Sequence, residues 1–108
     1  MENLGQVSSW REVFRKAGDL YGEGKIDTLA TVSLSEFKSG KYWGQFLDGR
    51  SGLPQTGQEA LTVMEEICPM LYKDNTSFHL FHQEIPITNA GSSSMLVVVY
   101  LKQDEVVL

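Results

Sequence analysis

Apolar residues recur at helical spacing from Trp10 through Val13, Phe14, Ala17, Leu20 and Tyr21, while Arg11, Glu12, Arg15, Lys16 and Asp19 fill the opposite side. This pattern predicts an amphipathic helix, opened by Ser9 with Glu12 as a capping box and stopped by Gly22 and Gly24. From Ile26 the period shortens to two. Ile26, Ala30, Val32 and Leu34 alternate with Leu29, Thr31 and Ser33, which predicts a strand. Ser35 to Gly40 reads as a connection, and Lys41 to Leu47 as a second strand with Tyr42 and Phe46 on one face and Trp43 and Leu47 on the other.

The order then repeats. Thr56 and Glu59 form a second capping box before Ala60, Leu61, Val63, Met64 and Ile67, so a second helix is expected, ending near Ile67 ahead of Pro69 or continuing only with a kink. Phe78 to Ile85 reads as a third strand, with His79, Phe81, Gln83 and Ile85 on one face and Phe78, Leu80 and His82 on the other. Asn89 to Ser93 reads as a turn into Met95 to Leu101, a run apolar on both faces. Such a run belongs at the centre of a sheet, or needs a partner over its second face.

Two α-β-β units predict an α+β domain: a four-stranded antiparallel sheet with two helices on one face, in a permuted ferredoxin-like order. At 108 residues and 12.1 kDa the chain fits one domain over residues 1–108. Element order, Ser9-Trp10, the Trp43 strand and Leu53-Pro54 before the second helix also resemble profilin-like folds. Profilins close with a helix that helps build a groove for proline-rich ligands, and no such helix is expected before Leu108, so the resemblance implies element order and no function.

Net charge is −5 and unevenly spread. Residues 1–50 balance seven Lys and Arg against seven Asp and Glu, whereas residues 51–108 set Lys73 and Lys102 against seven acids. An acidic chain disfavours general duplex binding. A single cysteine, Cys68, excludes an internal disulfide framework, and its place near a helix C-terminus raises a thiol's pKa, which favours a buried, inert group. The N-terminus carries no secretory pattern and no run is long enough to span a membrane, so a cytoplasmic protein is expected and Asn75-Thr76-Ser77 is read as a polar turn.

No constellation of residues demands a cofactor or a metal, and no enzyme is expected. His79 and His82 stand at an odd offset, which on a strand sends them to opposite faces. His82 and Glu84 share a face, a pairing suited to proton transfer or to a polar surface contact. The Gly49 to Gly57 loop delivers Arg50 to a helix N-terminus without a phosphate-loop motif.

The large side chains on both faces of the second and fourth strands predict association, through edge pairing or sheet-face packing. Tyr42, Trp43, Phe46, Leu47, Met95, Val97, Val99 and Leu101 are the expected contact residues, with a second copy of the chain in a homodimer or another protein as partner. The alternative is single-stranded nucleic acid stacked on a basic-aromatic strand made of Lys38, Lys41, Tyr42, Trp43, Phe46 and Arg50. The C-terminal Glu105-Val106-Val107-Leu108 reads either as a strand-adding ligand or as a tail packed on its own sheet.

Overall fold

A computed structural model describes residues 1–47, 61, 65–66, 77–87 and 91–107. Along the chain they form β1 (Glu2–Val7), α1 (Trp10–Gly22), β2 (Thr28–Ser33), α2 (Leu34–Ser39), β3 (Gln45–Phe46), β4 (Ser77–Ile87) and β5 (Gly91–Leu101). Leu61 is helical and buried, and Glu65 and Glu66 are helical and exposed, the inward and outward sides that the sequence pattern assigns them. The Thr56 cap, Cys68, Pro69, Asn75-Thr76 and the loop carrying Arg50 lie outside the described residues.

The first helix forms where its stripe predicts and buries Val13 and Ala17. Ser9 accepts from the Glu12 backbone N–H, but the Glu12 carboxylate takes the Ser8 hydroxyl instead of reaching back to Ser9. Among the described residues the complete capping box is at Ser33 and Glu36, where each side chain accepts from the other's backbone N–H. It opens α2, and Gly40 closes that helix in the left-handed conformation at φ 72°. A helix therefore occupies the segment expected to be a connection.

The sheet has five strands in the order β1-β4-β5-β2-β3. It is mixed: β5 runs parallel to β2, and the other pairings are antiparallel. This corrects the expected four-stranded antiparallel sheet, because Glu2–Val7 adds a strand beside β4 that its sparse apolar residues do not announce. β1 and β2 consequently run in the same direction with β4 and β5 between them, and α1 is the crossover that such a parallel arrangement requires.

α1 and α2 lie on opposite faces, while Leu61, a helical residue of the second helix that the sequence predicts, joins the core on the α1 side. On one face Val13 and Ala17 of α1 pack with Leu29, Phe78, Leu80, Leu96 and Val98, joined by Ile26, Leu47 and Leu61. On the other, Leu34 and Phe37 of α2, with Tyr42 and Val107, cover Ala30, Val32, Phe81, Met95, Val97, Val99 and Leu101. β5 is thus central and apolar on both faces because the chain itself supplies both covers. Among the described residues no helix is long and apolar enough to cross a membrane.

Candidate functional site

Between α2 and β3 the chain crosses the α2-side face as a strap, residues 40–44. Exposure alternates along it and into β3: Lys41, Trp43 and Gln45 are exposed, while Tyr42, Gly44 and Phe46 are partly buried. Tyr42 is drawn inward by stacking against Phe37, whose ring also stacks on Phe81 with centroids 4.9 Å apart. Its hydroxyl donates to Gln83 Oε1 at 3.0 Å, and burial raises the phenol's pKa, keeping it a donor at neutral pH.

Gly44 fixes the other end. A Cβ there would collide with Thr28 Cγ2 and come within 2.6 Å of Met95 Sδ, so only glycine lets the backbone lie this close to β2 and β5. Trp43, held between these two anchors, has nowhere to turn but outward. It is 92% exposed, against 63% and 60% for the exposed Met1 and Val106.

The expected contact residues therefore separate. Leu47, Val97, Val99 and Leu101 are 0% exposed and Met95 is 2% exposed, all inside the chain's own core. They need no partner, because α1, α2, the strap and Val107 cover the faces on which they stand. Tyr42 is half-buried on the strap's inner side, and Phe46 is half-buried on β3 opposite Thr28. Trp43 is the member of the set offered to solvent.

The basic-aromatic strand separates in the same way. Lys38 and Lys41 are exposed beside Trp43's segment, Tyr42 is turned into the sheet, and Arg50 lies outside the described residues. A multi-ring stacking platform is not assembled by these side chains. The C-terminal tail divides likewise, with Val107 packed on the α2-side core and Val106 exposed.

No family model matches this chain, and neither a curated protein nor a solved structure does. Its functional reading rests on its own geometry.

His79 and His82 do face opposite sides, as the strand period requires. His79 stacks on Phe81 with centroids 4.6 Å apart and donates Nε2–H to Asn3 Oδ1 at 2.8 Å. His82 stands on the α1 side between two carboxylates, Nδ1 3.6 Å from Glu2 Oε2 and Nε2 3.7 Å from Glu84 Oε1. Glu84 is held short of the ring by the Ser94 hydroxyl, which donates to the same oxygen at 2.8 Å. The His82–Glu84 pairing is thus real as proximity, and Glu2 is a neighbour that sequence reasoning missed because β1 was not foreseen. Among the described residues, no group of three or more His, Cys, Asp or Glu is placed to hold a metal ion.

Proposed function

We propose that this chain is a protein-association module whose anchor is Trp43, presented by a rigid strap. The observation that carries this reading is the contrast in exposure: an indole 92% open to solvent between neighbours committed to the fold. A docked indole removes on the order of 200 Å² from water, worth about 5 kcal/mol before the cost of association. Because the strap is already ordered by Tyr42 and Gly44, little further ordering is needed on binding. Tryptophan is the residue type most enriched among interface anchors.

Lys38 and Lys41, close to Trp43 in the chain, are exposed cations. They suit a partner surface with an apolar pocket and a carboxylate rim, on a second copy of this acidic chain or on another protein. Sedimentation and native mass measurement of the wild-type protein, alone and after affinity capture, test this beside Trp43→Ala. The expected result is an assembly in the wild type that Trp43→Ala loses. An assembly that survives the substitution, or a wild type that stays a lone monomer at high micromolar concentration and captures nothing, overturns it. Salt-sensitive quenching of Trp43 fluorescence by a single-stranded oligonucleotide would instead assign the indole to base stacking.

A further inference from the structure

On the α1-side face, away from the strap, a pocket of about 550 Å³ opens between the sheet and the end of α1. That volume lies within the range of small-molecule sites. Its charges are segregated by wall. The sheet contributes Glu2 from β1, His82 and Glu84 from β4, and Ser94 from β5. Lys16 comes from α1 and Lys25 from the turn after it, with Leu4, Leu20 and Ile26 supplying apolar surface.

A β-bulge helps to build this lining. The register of β1 on β4 shifts between Asn3 and Gly5, which sets Glu2 opposite His82, Gly5 opposite Leu80 and Val7 opposite Phe78. The extra residue is Leu4, and the shift lets Glu2, Leu4 and Val7 all address the α1 side despite their mixed spacing. Gly5 accommodates the bulge at φ 94°, and its N–H is taken by Asn3 Oδ1 at 2.8 Å.

Opposite charges face the cavity without neutralising each other. Lys25 pairs with Glu23 at 2.9 Å, and neither Lys16 nor Lys25 forms an ion pair with Glu2 or Glu84. His82 Nε2 is buried and has no hydrogen-bond partner among the described residues. An acidic wall, a basic wall and an aliphatic stretch in one pocket match one ligand chemistry closely.

The geometry points to a binding site for a small zwitterion with an aliphatic body, of the α-amino-acid type. Its ammonium group faces Glu84, Glu2 and His82 on the sheet, its carboxylate faces Lys16, and its side chain lies against Leu4, Leu20 and Ile26. A ligand with a single charge meets one wall and forgoes the charge-assisted contact with the other, which costs affinity.

L-leucine is a suitable probe, followed by the backbone amide resonances of Gly24 and Ser94, with isoamylamine and isocaproate as analogues that lack one charged group each. Wild-type protein is expected to bind leucine saturably and each analogue roughly tenfold more weakly, about the loss of one charge-assisted contact. Glu84→Gln should narrow the gap between leucine and isocaproate, and Lys16→Met the gap between leucine and isoamylamine. Trp43→Ala should leave leucine binding unchanged. The idea is overturned by no saturable shift up to the solubility limit of leucine, by equal binding of the three probes, or by leucine affinity indifferent to both pocket substitutions. The comparison of probes on unaltered protein decides the matter even where a variant fails to fold.

Discussion

The Tyr42 hydroxyl donates to Gln83 Oε1 across 3.0 Å, tying the strap to β4. Gln83 stands opposite Met95, and Gly44 lies against Met95 and Thr28, so the strap runs over β2 and β5 to reach β4. Tyr42→Phe keeps the stacked ring and removes only the hydrogen bond, which should cost about 1 kcal/mol in urea unfolding. Tyr42→Ala also loses the stack on Phe37 and should cost about 3 kcal/mol. Trp43→Ala, one residue away, should change stability by less than about 0.5 kcal/mol while abolishing association. A large loss of stability in Trp43→Ala would mean that the indole belongs to the fold.

Gly44 makes a second, independent point about the strap. Alanine at this position must push aside Thr28, whose branched side chain is fixed by hydrogen bonds to Asp27 and Ser93, and Met95 at 2% exposure. Neither has room to give, so Gly44→Ala should destabilise the protein by about 1–3 kcal/mol, as overpacking of cores does. Because the strap must lift to relieve the collision, the same variant should weaken the Trp43 contact even at temperatures where the protein remains folded. Unchanged association in a folded Gly44→Ala protein would separate the strap's geometry from the indole's role.

How much of this was legible in the sequence follows from where each signal lives. The α1 stripe and the all-apolar Met95 to Leu101 run are periodic over many residues, and both elements form as expected. β1 was missed because Glu-Asn-Leu-Gly-Gln-Val carries a glycine and a bulge instead of alternation, and it is held by pairing with β4. α2 was missed although Ser33, Glu36 and Gly40 spell its cap and stop, since six residues are too few for a period to show. That helix is what covers the second face of β5. Without it, buried valines read as a surface that needs a partner, and Met95, Val97, Val99 and Leu101 read as contact residues for that reason. The Trp43 segment drew notice for its aromatics, but which ring would point out depended on Gly44, a contact that no local pattern carries.

At the start of β2 a polar cluster is enclosed where the core meets the sheet's end. Thr28 and Ser93 are 3% and 2% exposed, their hydroxyls stand 2.7 Å apart, and both bond Asp27 Oδ1, which also accepts the Ser94 N–H at 3.1 Å. The cluster locks β2 to β5 beside the Thr28–Met95 pairing. Ser93→Ala and Thr28→Val should each cost about 1–2 kcal/mol, since each removes a buried hydroxyl that the carboxylate holds. Combined, they should show a coupling of about 1 kcal/mol in a double-mutant cycle. Strict additivity would show that each hydroxyl acts on Asp27 alone.

His79 gives the fold a pH dependence with a definite sign. Its ring lies flat on Phe81, interplanar angle 6°, with Nε2–H donated to Asn3 on β1, and burial lowers its pKa below the ordinary 6.5. The folded protein thus holds the neutral imidazole more firmly than the unfolded chain does, so on acidification the unfolded chain takes up its proton first. The contribution is fully present above about pH 6.5 and is lost progressively as pH falls through the folded-state value. Unfolding of the wild type and His79→Gln, compared from about pH 7.5 to about pH 5, isolates this group because His82 is common to both. The wild type should lose more stability across that window, and amide exchange in β1 should quicken first, since the Asn3 contact bridges to that edge of the sheet. Parallel pH profiles for the two proteins would show that His79 titrates alike in the folded and unfolded states, and that its stack on Phe81 leaves the proton as free as in water.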